Sequence, residues 1–136
     1  MTGRLYVEPE GTPASPYVRV SLALDDEHIL RFLDVRKFGR VLYASDPEAV
    51  LSKLGPEPLA DAFTADVFRA MLRGRKRQLQ PLLLDQAFLA GLGNIYVDEA
   101  LFIAGLHPMR RADTVRRPKA VALHAAIRDV LAAAIE

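Results

Sequence analysis

The hydrophobic repeat of this chain changes from two residues to nearly four at about Asp46, and this change constrains the fold class. Before it, Val18, Val20, Leu22 and Leu24 alternate with polar or small residues, which is the period of a half-buried strand. After it, apolar residues recur at helical spacing in several segments. The sequence therefore predicts an α+β chain, with a partial antiparallel sheet followed by an all-helical module.

Turn signals rich in proline, glycine and aspartate divide the chain into four predicted strands and five predicted helices. The strands are residues 1–8, 18–24, 28–34 and 39–44. The first helix is predicted at residues 46–54 with Ser45 or Asp46 as its cap, and the second follows Thr64, which caps it. The other three helices are predicted at residues 81–89, 94–104 and 118–135. The segment after Thr64 carries an apolar stripe of Val67, Phe68, Met71 and Leu72, and the last helix carries one from Val121 to Ile135. We expect three parts: residues 1–45 from a β domain, a connector at 46–62, and a helical domain at 63–136.

Composition excludes several classes of protein. The 136 residues contain no cysteine, so neither a disulfide nor a cysteine-bound zinc ion can form within them. The histidines, His28, His107 and His124, lack the spacing of metal ligands, and no metal or cofactor is expected in this chain. No apolar run is long enough to span a membrane, and no signal peptide is recognisable, so a cytoplasmic protein is expected.

Positive charge is concentrated in two places although the formal net charge is only +1. The first basic run contains Arg73, Arg75, Lys76 and Arg77, and the second contains Arg110, Arg111, Arg116, Arg117 and Lys119. One interpretation is a locally positive face that binds nucleic acid. The other is two solvated basic turns.

Two glycines separate two apolar helical patterns in the segment Gly91-Leu92-Gly93-Asn94. Both glycines permit a positive φ and the close approach of another backbone, and Asn94 occupies the predicted N-cap. A glycine turn that opens a helix presents free backbone N–H groups, which suit a phosphate such as that of DNA. The alternative is that the segment is purely structural, a tight turn between two packed helices in which Asn94 serves only as a helix cap.

Residues 34–39 read DVRKFG. In an extended stretch Arg36 and Phe38 project to one side and Lys37 to the other. An exposed aromatic ring beside a guanidinium group suits insertion into a base stack. The alternative is that Phe38 lies in the core and that Arg36 forms a surface ion pair with Asp34.

Together these motifs resemble the bacterial formamidopyrimidine-DNA glycosylase family, whose members remove oxidised purines from DNA. Residues 80–108, QPLLLDQAFLAGLGNIYVDEALFIAGLHP, resemble the family's helix–two-turn–helix module, and DVRKFG resembles its Asp-x-Arg-Arg-Phe-Gly pattern. The resemblance implies that Asn94 donates to a phosphate beside the lesion and that the backbone amides of the turn bind the same strand. It also implies that Arg36 pairs with the base left opposite the flipped lesion and that Phe38 wedges into the stack. Lys37 replaces the second arginine of the pattern, which keeps the charge but loses the bidentate geometry.

Further site residues follow from the same resemblance. Met1 matches a third void-filling residue of the family, although an initiator methionine is the simpler interpretation. Lys76 matches a lysine that contacts a DNA phosphate. Gln80 stands where most members carry a lysine beside the damaged-base pocket, and Tyr17 stands where many have a DNA-contacting histidine. The predicted DNA-binding residues are Met1, Tyr17, Arg36, Lys37, Phe38, Lys76, Gly91, Gly93 and Asn94.

The resemblance covers the whole chain but only the middle of a family member. The family's N-terminal Pro-Glu-Leu-Pro-Glu, with its nucleophilic proline and acid/base glutamate, has no counterpart here, and neither does its four-cysteine zinc finger. We therefore expect an internal portion of a bifunctional glycosylase and AP lyase, monomeric, bound to damaged double-stranded DNA and inactive by itself. The alternatives are a non-catalytic DNA-binding module or degenerate gene product, and a ribosomal-type RNA-binding helix–two-turn–helix protein.

Overall fold

A computed structural model describes residues 3–135 of the chain and contains two compact units. The first unit is Met1–Ala44 and the second is Ser45–Glu136. Within residues 3–135 no helix is both long enough and apolar enough to cross a membrane. The α+β class predicted from the sequence is confirmed, since the first unit is a sheet and the second is helical.

The first unit is a three-stranded antiparallel sheet. Its strands are β1 (Arg4–Pro9), β2 (Val18–Ala23) and β3 (His28–Leu33), and they lie in the order β1-β3-β2. Tyr6 of β1 and Ser21 of β2 both lie opposite Arg31, which places β3 in the centre. These strands agree with three of the four predicted ones to within a few residues at each end.

The two faces of this sheet differ in character. Leu5 and Val7 lie on one face, opposite Phe32 and Leu30 of β3, and both remain mostly exposed. On the other face Arg31 is only 4% exposed, with its Nε 2.7 Å from Oε1 of Glu8. Arg31 also donates to the carbonyl of Thr12, in the loop after β1. A buried guanidinium needs such partners, so Arg31 is buried because Glu8 and the loop after β1 supply them.

The fourth predicted strand, residues 39–44, is wrong, because this segment pairs with no strand in the part of the chain that the structure describes. The chain turns before reaching it. Lys37 has a φ of +58°, and the carboxylate of Asp34 accepts the backbone N–H groups of Arg36 and Gly39. The apolar side chains of Val41–Tyr43 are consequently exposed. Strand propensity has no effect where no neighbouring strand completes the ladder.

The described residues of the second unit contain five α-helices. They are α1 (Pro47–Leu51), α2 (Ala65–Leu72), α3 (Leu79–Leu83), α4 (Asn94–Ala104) and α5 (Arg117–Ala133). Thr64 caps α2 through its side-chain oxygen, as the sequence predicts, and of the two candidates for α1 it is Asp46 that caps the helix rather than Ser45. A short 3₁₀ helix, Ala112–Thr114, precedes α5.

The core of the second unit lies where α2 and α4 pack on α5. Its largest buried side chains belong to these helices and to the segments between them: Phe68, Leu72, Leu79, Leu82, Leu83, Leu89, Val97, Leu101, Leu123 and Ile127. The rings of Phe63 and Phe68 meet edge to face at 5.6 Å, and Nε2 of His124 lies 2.7 Å from the carbonyl of Phe63. Since each large apolar side chain contributes about 1.5–3 kcal/mol when fully buried, this unit has a substantial core of its own.

The helix boundaries that differ most from the prediction are those of α3 and α1, while α5 ends at Ala133 rather than Ile135. The helix predicted at residues 81–89 is the shorter α3, which ends at Leu83. The carboxylate of Asp85 then accepts the N–H of Ala87 at 3.1 Å and starts a turn, which leads to the buried Phe88 and Leu89. The first helix likewise ends at Leu51 rather than Leu54.

The buried stripes are also narrower than predicted. In α5 the buried residues are Ala120, Leu123, Ala126, Ile127, Val130 and Leu131, whereas Val121 and Ile135 are exposed. In α2 Phe68 and Leu72 are buried, but Val67 is exposed. Small alanines at the helix contact allow close packing, so fewer large side chains are needed there.

Candidate nucleic-acid interface

Gly91–Asn94 form the tight turn that opens α4. Gly91 has a φ of +81°, a left-handed conformation that favours glycine. Gly93 has a φ of −107°, so of the two glycines that permit a positive φ only Gly91 adopts one. Gly93 is the N-cap of α4, and Asn94, predicted as the cap, is the first helical residue. Leu92 is buried and anchors the turn to the core.

A glutamine that the sequence interpretation did not single out holds this turn. Oε1 of Gln86 accepts the N–H of Gly91 at 2.9 Å. Its Nε2 donates to the carbonyls of Leu92 at 2.9 Å and Leu84 at 3.2 Å. The Gln86 side chain therefore ties Gly91 and Leu92 of the turn to Leu84 at the end of α3. A polar residue five positions before a glycine carries no periodic signal, which is why sequence reasoning missed it.

The connector supports the same region from another side. The N–H of Gly55 donates to the carbonyl of Gln86 at 2.8 Å, and the N–H of Ala90 donates to the carbonyl of Pro56 at 3.2 Å. A Cβ atom on Gly55 would lie 2.5 Å from the carbonyl carbon of Phe88. Only glycine permits this approach, so Gly55 is a packing requirement of the turn.

The start of α4 presents hydrogen-bond donors to solvent. No side chain caps this end, and its first turn contains no acidic residue. The N–H of Val97 is bonded to the carbonyl of Gly93 at 3.0 Å, which leaves the amides before it without a place in the helical ladder. Asn94 is exposed beside them. Free amides at the positive end of a helix form an anion site, and the Asn94 amide adds two donors to it.

The other end of α4 is closed by a basic residue. Gly105 follows the helix with a φ of +59°, and Nζ of Lys119 donates to the carbonyl of Ala104 at 2.7 Å. A lysine at this position satisfies a free carbonyl and complements the negative end of the helix dipole. Lys119 therefore has a structural role, although it belongs to the second basic run.

The two basic runs lie side by side. The N–H of Leu79 donates to the carbonyl of Arg110 at 2.9 Å, and the N–H of Ala112 donates to the carbonyl of Arg77 at 3.0 Å. An isolated antiparallel bridge between Gln78 and Arg111 lies between these bonds. Backbone pairing thus joins two segments that are more than thirty residues apart. The runs are therefore neighbours on one surface, and binding of nucleic acid by that surface stays a prediction.

Several cations of these runs have partners within the protein. Arg77 pairs with Asp85 at 2.7 Å, and its hydrogen bond is the main reason that the pKa of Asp85 is lowered. The Arg75 guanidinium lies 5.9 Å from the centre of the Phe88 ring. Arg110 and Arg111 bind Thr114 and Asp113. Lys76 is exposed and has no hydrogen bond or ion pair within residues 3–135, so its ammonium group is free for an external anion.

Gln80, the departure noted in the sequence, is held in place by an acidic residue. Its Nε2 donates to Oδ1 of Asp98 at 2.8 Å. The pair lines an open groove of about 690 Å³ with Phe102, His107 and other residues. Asp98 therefore orients a neutral amide rather than a basic side chain.

In the first unit, Asp34 organises the loop that carries Arg36 and Phe38. Asp34 is 5% exposed, and its carboxylate accepts the backbone N–H groups of Arg36 at 3.1 Å and Gly39 at 2.6 Å. The bond from Gly39 is the largest contribution that lowers the pKa of Asp34, and burial opposes it. A Cβ atom on Gly39 would lie 2.2 Å from Cζ of Phe32, so a larger residue here would have to displace the Phe32 ring.

The loop presents a phenylalanine to solvent. Phe38 is 79% exposed, and the Arg36 guanidinium lies 5.4 Å from the centre of its ring, within the range of a cation–π contact. The interpretation of Phe38 as a core residue is wrong, and Asp34 bonds to the backbone rather than to the Arg36 side chain. Both residues border an open concavity of about 310 Å³ beside β1 and β3.

The remaining predicted residues of this unit lie close to the same loop, with one exception. The carbonyl of Tyr17 accepts the N–H of Asp34 at 3.0 Å, and the Tyr17 side chain is about half exposed. Lys37 lies between Arg36 and Phe38 in a left-handed conformation and is exposed. Met1 lies outside the described residues. No cluster of three histidine, aspartate or glutamate residues that could hold a metal ion occurs within residues 3–135.

Both units match one known protein family. Residues 54–136 match the family model of the formamidopyrimidine-DNA glycosylase H2TH domain, which is more than half of the chain. The chain belongs to the formamidopyrimidine-DNA glycosylase family. Residues 1–41 match the N-terminal domain of the same family, so the resemblance drawn from the sequence is confirmed.

Relatives and solved structures agree with this assignment. A formamidopyrimidine-DNA glycosylase of Protochlamydia amoebophila (strain UWE25) is 47% identical over 136 residues, which are all of this chain and 49% of the relative. The chain thus spans about half the length of the curated relatives it matches. It is similar to the Lactococcus lactis glycosylase bound non-covalently to DNA with an AP site, with a TM-score of 0.85 and 34% identity over 99% of this chain and 53% of that one. The same enzyme bound to DNA containing FAPY-dG gives a TM-score of 0.85 and 34% identity, over 99% of this chain and 52% of that one.

The predicted DNA-binding residues of this glycosylase-family chain fall into two sets. Gly91, Gly93 and Asn94 form one turn, and Lys76 lies in the basic segment of the same unit. Arg36, Lys37 and Phe38 form one loop, with Tyr17 bonded to its base. The DNA contacts assigned to these residues stay predictions.

Proposed function

We propose that this chain binds damaged double-stranded DNA, as the DNA-gripping portion of a bifunctional glycosylase and AP lyase that excises oxidised purines such as 8-oxoguanine and formamidopyrimidines. The observation that carries the proposal is the uncapped start of α4 with Asn94 exposed beside it, in a helix–two-turn–helix domain of this family. The similar Lactococcus lactis enzyme, bound to DNA with an AP site or FAPY-dG, supports damaged DNA as the partner.

The turn is proposed to hold one phosphate of the damaged strand. The free amides at the start of α4 and the Asn94 side chain donate to its oxygens, and the ammonium group of Lys76 adds a point charge to a phosphate of the backbone. Such contacts fix the position of a protein on the duplex but carry no sequence information. This property suits a protein that must bind lesions in any sequence.

The loop of the first unit is proposed to stabilise the distorted duplex. Extruding a base costs a few kcal/mol of unstacking and unpairing. The exposed Phe38 ring fills the gap in the stack and offsets part of that cost, as apolar wedges do in other DNA-bending proteins. Arg36 then donates to the edge of the unpaired base on the opposite strand.

The 136-residue chain is proposed to be inactive by itself. Glycosylase and lyase chemistry requires an activated amine beside the sugar. The family places this amine on the proline of a Pro-Glu-Leu-Pro-Glu segment, and that segment does not occur in these residues. Treatment with borohydride in the presence of an 8-oxoguanine duplex should therefore trap no covalent complex. A trapped complex would contradict this part of the proposal.

The RNA-binding alternative has less support than the glycosylase proposal. A ribosomal-type protein would share the helix–two-turn–helix module alone, whereas residues 1–41 match the glycosylase N-terminal domain. A non-catalytic DNA-binding module would use the same turn and loop. Its DNA affinity would therefore not distinguish it from a portion of an active glycosylase.

Fluorescence anisotropy with two duplexes of equal length tests the function. One duplex carries a tetrahydrofuran abasic-site analogue, and the other is undamaged. We expect a monomer that binds the damaged duplex more tightly, with an affinity that falls steeply as salt is added. Equal affinity for both duplexes would contradict the preference for damage, and no binding at low salt would contradict the proposal as a whole.

A further inference from the structure

Four arginines of the helical unit, three of them from the two basic runs, line a concavity that includes neither the turn at Gly91–Asn94 nor Lys76. Arg69 lies in the last turn of α2, and Arg73 directly follows that helix. Arg116 and Arg117 lie at the start of α5. All four line one concavity of about 190 Å³, whose floor includes Leu72 and Val115. We call these four residues the arginine cluster.

The guanidinium groups of the cluster are largely unpaired. Arg69, Arg73 and Arg116 make no side-chain hydrogen bond or ion pair within residues 3–135, unlike the neighbouring Arg77 and Arg111. Arg117 has one contact of 3.5 Å with Asp66, and both side chains are mostly exposed. An exposed pair of this kind contributes little to stability.

Acidic groups do not neutralise the cluster. Asp113 lines the same concavity, but Arg111 already occupies its carboxylate with bonds of 2.6 and 3.2 Å. Asp66 contacts Arg117 alone and does not line the concavity, so the four guanidinium groups outnumber the carboxylates beside them. Such a surplus of like charge is unfavourable without a compensating anion.

The start of α5 adds to the positive potential. Arg116 is the N-cap, it makes no side-chain capping bond, and the first turn of this 17-residue helix contains no acidic residue. The positive end of the helix dipole therefore lies at the cluster. Guanidinium groups are planar and bind phosphate oxygens through two parallel hydrogen bonds, so their chemistry matches a phosphate better than a carboxylate of the protein.

We propose that the arginine cluster is a phosphate-binding site separate from the turn at Gly91–Asn94, and that the backbone of duplex DNA supplies the phosphate. The choice of DNA as the source rests on the proposed function. The cluster would add contacts beyond those of the turn and extend the length of duplex that the chain covers. Because these contacts are to phosphates, they would act equally on damaged and undamaged DNA.

Charge removal from two different elements tests this site in the full 136-residue chain. Arg116→Gln and Arg73→Gln are compared with Lys53→Gln, which removes one exposed charge outside the concavity. For each arginine variant we expect the affinity for a long duplex to fall about five- to tenfold and the log–log salt slope to decrease by about one. Lys53→Gln should change neither. If the wild type binds DNA and both arginine variants behave like Lys53→Gln, DNA binding by the cluster is overturned.

Titration with inorganic phosphate separates this proposal from the proposed function. The Nε–Hε signals of the four arginines are followed by NMR, and shifts that saturate in the wild type and vanish in Arg116→Gln support the site. If the wild type binds no DNA, the proposed function fails. Saturating shifts with phosphate would in that case still support a phosphate site at the cluster, but DNA would be overturned as the source of the phosphate. No shift with phosphate overturns the site itself.

Discussion

Asp34 is the residue that positions the exposed part of the sheet unit. Its carboxylate accepts the backbone N–H groups of Arg36 and Gly39. In a continuing strand these groups would donate to a neighbouring strand, so the chain turns after Asp34 instead of extending the sheet. The loop then carries Arg36 and Phe38 outside the sheet, with their side chains in contact. A buried acid thus determines where the two proposed DNA contacts lie.

Substitution of Asp34 should make the stability of the sheet unit less dependent on pH. The folded state lowers the pKa of this carboxyl below its ordinary value of 3.8. Its ionised form therefore stabilises the fold fully above that value, and this contribution is lost as the pH falls through the folded-state pKa. We expect Asp34→Asn to be less stable than the wild type at neutral pH, with a difference that shrinks in acid.

Hydrogen exchange of the Gly39 amide, followed by NMR from neutral to acidic pH, measures this difference. Asp25→Asn, in the exposed turn between β2 and β3, is the matched control and should leave Gly39 protection unchanged. A destabilisation by Asp34→Asn that stays constant across the whole pH range would contradict the role of the charge.

Removal of the Phe38 ring should affect binding without affecting folding. The ring is 79% exposed, so Phe38→Ala should change the free energy of unfolding by less than about 0.5 kcal/mol. We expect it to weaken binding to the tetrahydrofuran duplex while binding to undamaged duplex changes little, because only the distorted stack offers a gap. Leu42→Ala, at a side chain that is 71% exposed, is the control. Equal losses on both duplexes, measured by anisotropy, would argue against a wedge.

At the scale of elements, the sequence predicts best those whose signals are local. The bounds of α4 at Asn94 and Ala104 follow from an apolar helical pattern between glycines, and the cap of α2 follows from Thr64. The strand at residues 39–44 has strand-forming residues but no partner, and the helix at residues 81–89 is interrupted by a side chain, Asp85, that starts a turn. Both predictions are wrong because a nearby aspartate side chain bonds to backbone N–H groups, and the secondary-structure propensity of the segment does not take such bonds into account.

The residues of the candidate site likewise include some with local sequence signals and some without. Gly91, Asn94, Arg36 and Phe38 are recognisable because they recur in family motifs or in a turn signal. Gln86 and Gly55 support the turn through contacts that the sequence does not reveal. The adjacency of the two basic runs is likewise a product of tertiary pairing. The residues proposed to bind DNA therefore have signals in the sequence, whereas the residues that support them have none.

The Gln86 side chain connects the turn at Gly91–Asn94 to the end of α3, so its removal should loosen the turn. Gln86→Ala removes three hydrogen bonds and should lower the free energy of unfolding by about 1–2 kcal/mol. It should also weaken DNA binding, since the amides of the turn lose their fixed positions. Urea unfolding and anisotropy measure the two effects. Gln78→Ala, whose side chain makes no capping bond, is the matched control. Indistinguishable behaviour of the two variants would show that Gln86 does not hold the turn.

At the scale of the whole molecule, the two units differ in how much of their apolar surface they bury. Every member of the main core cluster, from Phe63 to Leu131, belongs to the helical unit. The sheet unit instead leaves Leu5, Val7 and Leu22 exposed on one face. The helical unit should therefore be much the more stable of the two.

Residues 45–136 should fold without the sheet unit. We expect the isolated segment to retain its helical circular dichroism and to unfold in urea in one cooperative transition, because its core is complete in itself. A broad, non-cooperative transition, or loss of dispersed NMR signals, would contradict the independence of this unit.

If the turn at the start of α4 grips DNA, variants of Asn94 should lose affinity for the tetrahydrofuran duplex. Hydrogen bonds to charged groups contribute about 1.5–3 kcal/mol, so Asn94→Ala should lose at least about tenfold in affinity. Asn94→Asp should lose more, because it replaces donors with a negative charge. Both variants should unfold at the wild-type temperature, since the Asn94 side chain is exposed. Folded variants that bind the duplex as tightly as the wild type would contradict the account.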